Sequence, residues 1–236
     1  MDYPWLTATP GEWPRLRGRV TYPSRASVLE FAVHLARPVP GHVVEFGVWQ
    51  GASTRVIRDE LARTRVWSPT QPRKRIYACD SFEGLPENYE HLAAGTFATA
   101  VPRLRGVRIV KGFFQDSLTP ALAAEVGQVS LAHFDADLHS ATETALNWVT
   151  PLLRGGSLLL FDEFDGEDPA EARAFAEWSE RTQVETALIA WFGREPSGKG
   201  AMSDRRALFQ VIGDERRTGP RALFPTRVRR KLASRW

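Results

Sequence analysis

From about residue 24 onward, the chain alternates short runs of β-branched and aliphatic residues with longer amphipathic stretches. This alternation is typical of βαβ units, in which helices join parallel strands. The predicted strands are 42–46, 75–80, 107–111, 129–135 and 157–162, followed by a hairpin of 184–192 and 205–212. We therefore predict an α/β fold with a doubly wound sheet of about seven strands, mostly parallel with an antiparallel last strand, and helices on both faces.

The predicted helices lie between these strands. They are 24–35, 52–65, 89–104, 118–126, 140–153 and 169–181. In sheets of this kind, ligands bind beyond the carboxyl ends of the strands, at the point where the strand order reverses. The residues that directly follow each strand are therefore the candidates for function.

The positive charge of the chain is concentrated at its end. The 236 residues carry a formal net charge of +3, yet residues 214–236 contain 8 Lys or Arg against 2 Asp or Glu, which leaves 23 basic and 26 acidic residues elsewhere. A nucleic-acid-binding face would spread basic residues over the folded surface, so the body of the chain is not expected to bind nucleic acid. We predict three segments: an aromatic, proline-rich segment 1–23 that forms a lid, a subunit contact or simple packing, a domain 24–213, and a basic tail 214–236.

The sequence also predicts where the protein resides. No apolar run approaches the ~18 residues that a membrane-spanning helix needs, and the proline-broken N-terminus lacks the apolar stretch of a signal peptide. The lone Cys79 cannot form an internal disulfide. We therefore expect a cytoplasmic protein without a membrane span.

A glycine-containing turn follows the first predicted strand. Gly47 allows a sharp turn with positive φ, Gly51 allows a ligand to approach the helix start, and Ser53 and Thr54 add hydroxyl groups there. Trp49 stands where a dinucleotide-binding G-x-G-x-x-G motif has its middle glycine, so NAD is disfavoured. A plain βα turn without a ligand is the alternative interpretation.

The second predicted strand ends in Asp80. An acidic side chain at this place can accept hydrogen bonds from both hydroxyls of a ribose, although a helix-capping role is the alternative. The glycine turn and this aspartate, in this order, indicate a cofactor that contains a nucleoside.

Carboxylates follow the fourth and fifth predicted strands. Asp135, Asp162 and Glu163 come at the ends of apolar runs, and we expect them to converge at one edge of the sheet because burying unpaired charges is costly. Clustered carboxylates repel one another, and a bound Mg²⁺ or Ca²⁺ would relieve this repulsion. Helix capping or ion pairs with arginine are the alternatives. His133 lies inside the strand and is expected to pack in the core.

Five sequence blocks together resemble a known family. They are EFGVWQGAST, CDSFEGLPENY, KGFFQDSL, HFDADLHSAT and GGSLLLFDEF, and they span about residues 43–165. The set resembles the macrocin O-methyltransferase family, a branch of the class I methyltransferases that includes sugar methyltransferases of macrolide biosynthesis. The resemblance implies a Rossmann-like sheet that binds S-adenosylmethionine and usually a Mg²⁺.

The resemblance also implies roles for individual residues. Glu45, Gly47 and Gly51 would surround the methionine end of the cofactor. The ribose and adenine would be held by residues after the second and third strands: Asp80, Ser81, Phe82, Phe114, Gln115 and Asp116. The metal ligands would be Asp135, Asp162 and Glu163. Related enzymes have Asp or Asn at the third of these positions, so a water-mediated contact of Glu163 is an alternative.

Methyl transfer from a sulfonium needs an aligned acceptor oxygen and a group that takes the hydroxyl proton. A metal bound to the acceptor would orient it and lower its pKa. The candidate catalytic bases are Asp137 and His139, with Asp135 as a third. We expect an enzyme that methylates a hydroxyl of a small acceptor, such as a sugar or natural-product intermediate. An RNA methyltransferase that docks through the basic tail and a non-catalytic cofactor-binding scaffold are the alternatives, and a homodimer or larger homo-oligomer is expected.

Overall fold

The computed structural model describes residues 25–67, 73–89, 92–164, 170–192 and 206–213. The predicted N-terminal segment 1–23, the basic tail 214–236 and the loop of the closing hairpin lie outside these residues. The helices are α1 Arg25–Ala36, α2 Ala52–Trp67, α3 Phe114–Ser117, α4 Pro120–Val126, α5 His139–Val149 and α6 Ala170–Thr182, and a 3₁₀ turn Thr150–Leu152 extends α5. Within the described part of the chain, none of these helices is long and apolar enough to cross a membrane.

Seven strands form one sheet. They are β1 His42–Phe46, β2 Ile76–Asp80, β3 Val107–Lys111, β4 Val129–Phe134, β5 Leu158–Phe161, β6 Thr186–Phe192 and β7 Arg206–Val211. Their order is β3-β2-β1-β4-β5-β7-β6, in which β1 to β5 are parallel and β7 runs antiparallel to both of its neighbours. This arrangement confirms the predicted fold class. The strand order reverses between β1 and β4, which places the expected ligand site beyond the ends of these two strands.

Helices cover both faces of the sheet. All six residues of β4 are buried, as expected for a central strand of a parallel sheet. On one face the stacked rings of Phe46, Phe134 and Phe161 pack under α5 and α6, whose Trp178 is fully buried. On the other face α1 and α2 cover the second hydrophobic cluster. The helices packed on both faces of the sheet therefore hold its strand ends in place.

The predicted helix 89–104 is wrong. Its described residues form turns and extended backbone, with positive φ at Gly95 and Phe97. The segment folds back on the residues after β2, because the Leu85 N–H donates to the Thr96 carbonyl at 2.9 Å and the Thr99 N–H donates to the Phe82 carbonyl at 3.1 Å. These non-local hydrogen bonds outweigh the apolar spacing that suggested a helix.

Candidate active site

The end of β1 contacts the end of β4 through Gly47. This residue has φ +90°, and a Cβ on it would overlap the carbonyl of Asp135. The Asp135 N–H donates to the Phe46 carbonyl at 2.9 Å, so the β1–β4 pairing continues up to this point. Only glycine fits this position without moving one of the two strand ends. The turn after β1, which is predicted to bind the cofactor, is thus in direct backbone contact with Asp135, a predicted metal ligand and candidate base.

Asp80 organises the turn after β1. One of its oxygens, Oδ2, accepts the backbone N–H groups of Val48 and Trp49, both at 2.7 Å. The other oxygen, Oδ1, accepts the Phe82 N–H at 2.7 Å. A carboxylate offers about four acceptor positions, so about one remains for a ribose hydroxyl. Ser81 lies beside it and is engaged within its own loop, where it accepts from Glu83 and donates to the Gly84 carbonyl.

The predicted adenine-side residues lie at the same edge of the sheet. The Gly112 N–H donates to the Asp80 carbonyl at 3.0 Å, which brings the turn after β3 next to the end of β2. Phe114 is half-buried, and its ring meets the edge of Phe46 at a centroid distance of 5.7 Å. Gln115 and Asp116 follow on the short helix α3 and are exposed. These residues are near enough to the Asp80 turn to belong to one cofactor site.

A buried polar chain runs from α2 through β1 into β4. The Thr54 hydroxyl donates to Glu45 Oε2, and the other carboxylate oxygen of Glu45 lies 3.1 Å from His133 Nδ1. Glu45 and His133 are adjacent because they are register partners in β1 and β4. Ser53 is also buried at the start of α2. The expectation that His133 packs in the core is therefore correct, but it packs there as part of a polar chain.

The environment of His133 favours the charged form of its imidazole. Burial lowers the pKa of its imidazole, but Asp162 and Glu45 together outweigh burial and raise the pKa to about 10. Its Nε2 lies 3.9 Å from Asp162 Oδ1, which is an ion-pair distance and too long for a hydrogen bond. The His133 ring thus lies between the carboxylates of Glu45 and Asp162.

Two arginines engage the carboxylates at the ends of β4 and β5. Arg206 makes a two-point contact with Asp162, from Nε to Oδ1 at 2.6 Å and from NH2 to Oδ2 at 3.2 Å. Arg25, the first residue of α1, donates from NH2 to Asp135 Oδ2, and its Nε lies 3.1 Å from Asp162 Oδ1 without hydrogen-bond alignment. Of the alternatives open from the sequence, arginine pairing is what the structure shows for both aspartates.

These contacts shift the pKa values of the two aspartates in opposite directions. Burial would raise the pKa of Asp162, but His133, Arg206 and Arg25 outweigh it and hold that pKa well below its ordinary value. Burial and the charge of Asp162 raise the pKa of Asp135, against the pull of Arg25. The negative charge of this pair is therefore held mainly on Asp162.

The predicted metal ligands do not fit a divalent cation. Both oxygens of Asp162 accept from guanidinium groups, and Asp135 is bound to Arg25. Glu163 donates its backbone N–H to Glu171. Within the part of the chain that the structure describes, no group of three His, Cys, Asp or Glu residues is arranged to hold a metal ion. The magnesium site expected from the sequence thus conflicts with the arginine contacts of two of its three expected donors, Asp135 and Asp162.

Glu171 of α6 holds the two acidic turns together. It is almost fully buried; its Oε1 accepts the Ala136 N–H at 3.2 Å, and its Oε2 accepts the Glu163 N–H at 3.0 Å. Each donor is the residue directly after one of the strand-end aspartates. Burial raises the pKa of Glu171 well above its ordinary value, although both backbone N–H groups oppose the shift.

The three candidate bases differ in the contacts that their side chains already make. Asp135 is bound to Arg25, and His139 Nε2 lies 2.8 Å from Glu177 Oε2 on α6. Asp137 has φ +60°, and among the described residues no group forms a hydrogen bond or ion pair with its carboxylate. Burial and the charge of Asp162 raise the pKa of Asp137 to about 6, with opposition from Arg25 and a further contribution from Asp80. This carboxylate lies within the electrostatic reach of both sides of the site.

Comparison with known proteins identifies the family of this chain. Residues 44–164, just over half of the chain, match a family model described as a methyltransferase domain. The chain belongs to this methyltransferase-domain family. The matched residues run from β1 to the turn after β5, so the methyltransferase domain contains the turn after β1, Asp80 and both acidic strand ends. The finer assignment to the macrocin branch is not decided by this match.

Curated relatives of this methyltransferase domain come from Streptomyces. The 8-demethyl-8-(2,3-dimethoxy-alpha-L-rhamnosyl)-tetracenomycin-C 4'-O-methyltransferase of Streptomyces olivaceus is 29% identical, with 65% of each chain covered. The demethyldecarbamoylnovobiocin O-methyltransferase of Streptomyces niveus is 26% identical, with 53% of each chain covered. The methyltransferase chain therefore spans slightly less than two thirds of the first of these relatives and about half of the second.

A solved structure supports the fold. The O-methyltransferase NovP aligns with a TM-score of 0.58 and 21% identity, with 78% of this chain and 79% of that chain covered. This likeness shows that the methyltransferase domain has the same arrangement of sheet and helices.

Three residues of this site were not predicted from the sequence: Arg25, Arg206 and Glu171. Arg206 had a readable signal, because an antiparallel pairing of β5 with β7 that joins Phe161 to Ala207 places Arg206 opposite Asp162. Arg25 and Glu171 had none, since each reaches the site from a helix on the face of the sheet. Their contacts depend on helix packing, which the sequence pattern does not encode.

Proposed function

We propose that the protein is an S-adenosylmethionine-dependent O-methyltransferase that acts on a hydroxyl of a small acceptor, such as a sugar of a natural product. The family match supports methyl transfer, and the names of both curated relatives describe O-methylation. The tetracenomycin relative is named for a rhamnosyl-bearing substrate, which supports a sugar hydroxyl as the acceptor. The observation that carries the proposal within the structure is the Asp137 carboxylate, which forms no hydrogen bond or ion pair with another described residue and whose pKa responds to burial and to the charges of Asp162, Arg25 and Asp80.

The cofactor is proposed to bind across the turns after β1, β2 and β3. Asp80 holds the turn of Val48 and Trp49 and keeps acceptor capacity for the ribose hydroxyls. Gly47 and Gly51, with φ +90° and +77°, shape the backbone on which the methionine part would lie. Phe114 and its neighbours on α3 would border the adenine. When bound, S-adenosylmethionine supplies a methyl group on a positively charged sulfur, so the donor is already activated.

Asp137 is proposed as the general base. The acceptor oxygen forms the new bond to the methyl carbon as the carbon–sulfur bond breaks, and the hydroxyl proton passes to the Asp137 carboxylate. A base works best when its pKa lies near the working pH, and burial brings the pKa of Asp137 to about 6. His139 and Asp135 are engaged by Glu177 and Arg25, which makes them poorer candidates.

Magnesium assistance is not part of this proposal, because arginines engage the oxygens that would coordinate the ion. The alternative of RNA docking depends on residues 214–236, which lie outside the described residues. The cytoplasmic location, the homo-oligomeric state and the segment boundaries 1–23, 24–213 and 214–236 remain predictions from the sequence.

Methyl transfer can be tested directly on the full chain. The protein would be incubated with isotope-labelled S-adenosylmethionine and a panel of rhamnosylated aromatic compounds and nucleotide-linked deoxysugars. We expect a labelled methyl ether, identified by mass spectrometry, and formation of S-adenosylhomocysteine in equal amount. Calorimetry would separately measure S-adenosylmethionine binding.

The alternatives predict different results. Failure to bind S-adenosylmethionine at about millimolar concentration, where the free energy of binding is only about −4 kcal/mol, would contradict the proposal. Cofactor binding without any methylated product from the panel would favour the scaffold alternative. A chain truncated after residue 213 should keep small-molecule activity, whereas an RNA methyltransferase that docks through the tail would lose its activity.

A further inference from the structure

The carboxylates at the ends of β4 and β5 already face positively charged side chains. Asp135 and Asp162 face Arg25 and Arg206, and the buried Glu45 is paired with His133. A divalent cation added to this group would leave surplus positive charge in a largely buried place, which is unfavourable. A metal could bind here only by displacing a guanidinium.

Arg206 is the less replaceable of the two arginines. Its side chain is only 14% exposed, and it meets both oxygens of Asp162, which is itself 8% exposed at the side chain. The β5–β7 register sets the two residues opposite each other. Two-point guanidinium–carboxylate contacts are among the strongest polar interactions in proteins. The pairing of β5 with β7 therefore fixes the contact between Asp162 and Arg206.

Arg25 has a different position. Its side chain is 40% exposed and bridges two carboxylates that belong to neighbouring strands, Asp135 and Asp162. A guanidinium has five N–H donors, and among the described residues no further acceptor takes one of them. Arg25 can therefore neutralise both aspartates and still donate to an oxygen of a bound molecule.

We propose that Arg25, supported by Arg206, takes the place of a divalent cation at the ends of β4 and β5, and that its guanidinium orients the acceptor hydroxyl. The inference rests on the methyl transfer proposed above. A guanidinium can orient an oxygen by donating a hydrogen bond but does not acidify a hydroxyl as a coordinated metal does. Proton removal therefore depends on Asp137, whose carboxylate is not bound to either arginine.

Metal binding tests the first half of this inference without any need for activity. The full chain, stripped with EDTA, would be titrated with Mn²⁺ while free Mn²⁺ is followed by electron paramagnetic resonance, and with Mg²⁺ by calorimetry. We expect no saturable binding to the unmodified protein up to about 1 mM, the weak end of the range for carboxylate sites. Arg25→Ala should gain Mn²⁺ binding, because it frees Asp135 from its ion pair and removes a positive charge next to Asp162.

Arg58→Ala is the matched control, since Arg58 lies on α2 and contacts only its neighbour Asp59 among the described residues. It should bind no Mn²⁺, and circular dichroism should show that both variants are folded. Saturable one-site binding by the unmodified protein, or no gain of binding in Arg25→Ala, would overturn the inference.

Kinetics test the second half once an acceptor is known. Arg25→Ala should raise the KM for the acceptor about tenfold or more, the factor that corresponds to loss of one hydrogen bond from a charged donor. Arg25→Lys should restore part of this loss, and the KM for S-adenosylmethionine should not change. Activity of the unmodified protein should survive EDTA. An acceptor KM that Arg25→Ala leaves unchanged, or activity that EDTA abolishes and Mg²⁺ restores, would overturn the inference while the methyl transfer itself stood.

Discussion

The proposed cofactor side and the proposed acceptor side of the site stabilise their carboxylates in different ways. On the cofactor side, Asp80 is surrounded by three backbone N–H groups that come from its own loop and from the turn after the neighbouring strand. On the acceptor side, Asp135 and Asp162 are neutralised by arginine side chains of α1 and β7, which are far away in the sequence. Backbone donors carry no net charge, whereas guanidinium groups do.

This difference matches the ligands that each half is proposed to bind. A cofactor with ribose hydroxyls suits a carboxylate, such as Asp80, that keeps part of its acceptor capacity. A hydroxyl acceptor needs an oriented donor and a separate base, and the arginines and Asp137 divide these tasks. Variants that act on one half alone can therefore show whether the two halves work independently.

The largest effect is expected at Gly47, where the turn after β1 contacts the end of β4. In Gly47→Ala the new Cβ would overlap the Asp135 carbonyl, and the residue would have to adopt φ +90°. We expect loss of S-adenosylmethionine binding in calorimetry and a lower free energy of unfolding in urea. Gly106→Ala is the matched control, since Gly106 has φ +78° but no atom within 4 Å of the added Cβ.

Gly106→Ala should lose only the roughly 1–3 kcal/mol that a left-handed conformation costs a non-glycine residue. The Gly47 variant should lose clearly more than this. Equal losses in the two variants would mean that the close approach of β1 and β4 contributes nothing to stability or binding.

Asp137→Asn should abolish catalysis and stabilise the fold. Removal of a general base typically costs ~10²- to 10⁴-fold in rate, and we expect kcat to fall by this amount. Asparagine tolerates positive φ, so the backbone can stay as it is. The measurement is initial rates of S-adenosylhomocysteine formation, with Asp59→Asn, an exposed position on α2, as the control that keeps full activity.

The pH dependence of this variant follows from the pKa of Asp137. Its folded pKa of about 6 lies above the ordinary 3.8, so the protonated form is favoured by folding. The unmodified protein should therefore gain stability as the pH falls from about 6 toward 4, by at most about 3 kcal/mol at 1.36 kcal/mol per pKa unit, while kcat falls in the same range. At pH 7 Asp137→Asn should be more stable than the unmodified protein. A pH-independent kcat between 5 and 8 would contradict the role of Asp137.

The same contrast explains what could be predicted from the sequence. The strands and the turn after β1 were predictable because their signals are local: aliphatic runs, glycines and a strand-end aspartate. The helix expected at 89–104 failed because backbone hydrogen bonds to Phe82 and Leu85 decide the conformation of that segment. The arginine pairing was an open alternative. Arg206 could be read from the pairing of β5 with β7, whereas Arg25 could not, because it reaches the site through helix packing.

Asp80→Asn should affect the cofactor and leave the acceptor side unchanged. An amide group presents an N–H₂ where one of the carboxylate oxygens accepts a backbone N–H, so either Phe82 or the Val48–Trp49 pair loses its acceptor. Loss of a charged hydrogen bond costs about 1.5–3 kcal/mol, which corresponds to roughly 10- to 100-fold weaker S-adenosylmethionine binding. Calorimetry measures this change, and the affinity for the acceptor alone should stay within twofold. A parallel loss of acceptor affinity would show that the two halves are coupled.

The smallest effect is expected for Glu171→Gln. Its two oxygens accept the N–H groups of Ala136 and Glu163, and glutamine can keep only one of these acceptors. Loss of one buried hydrogen bond corresponds to about 1 kcal/mol, or roughly fivefold. We expect kcat to fall by this factor while the Kd of S-adenosylmethionine stays constant, because both donors lie on the acceptor side.

Glu180→Gln is the matched control, since Glu180 lies on the exposed side of the same helix. It should behave as the unmodified protein in both measurements. A purely structural role of Glu171 would lower the free energy of unfolding and leave kcat per folded molecule unchanged. A positioning role also shifts the pH at which kcat is half-maximal, because the turn that carries Asp137 begins at Ala136.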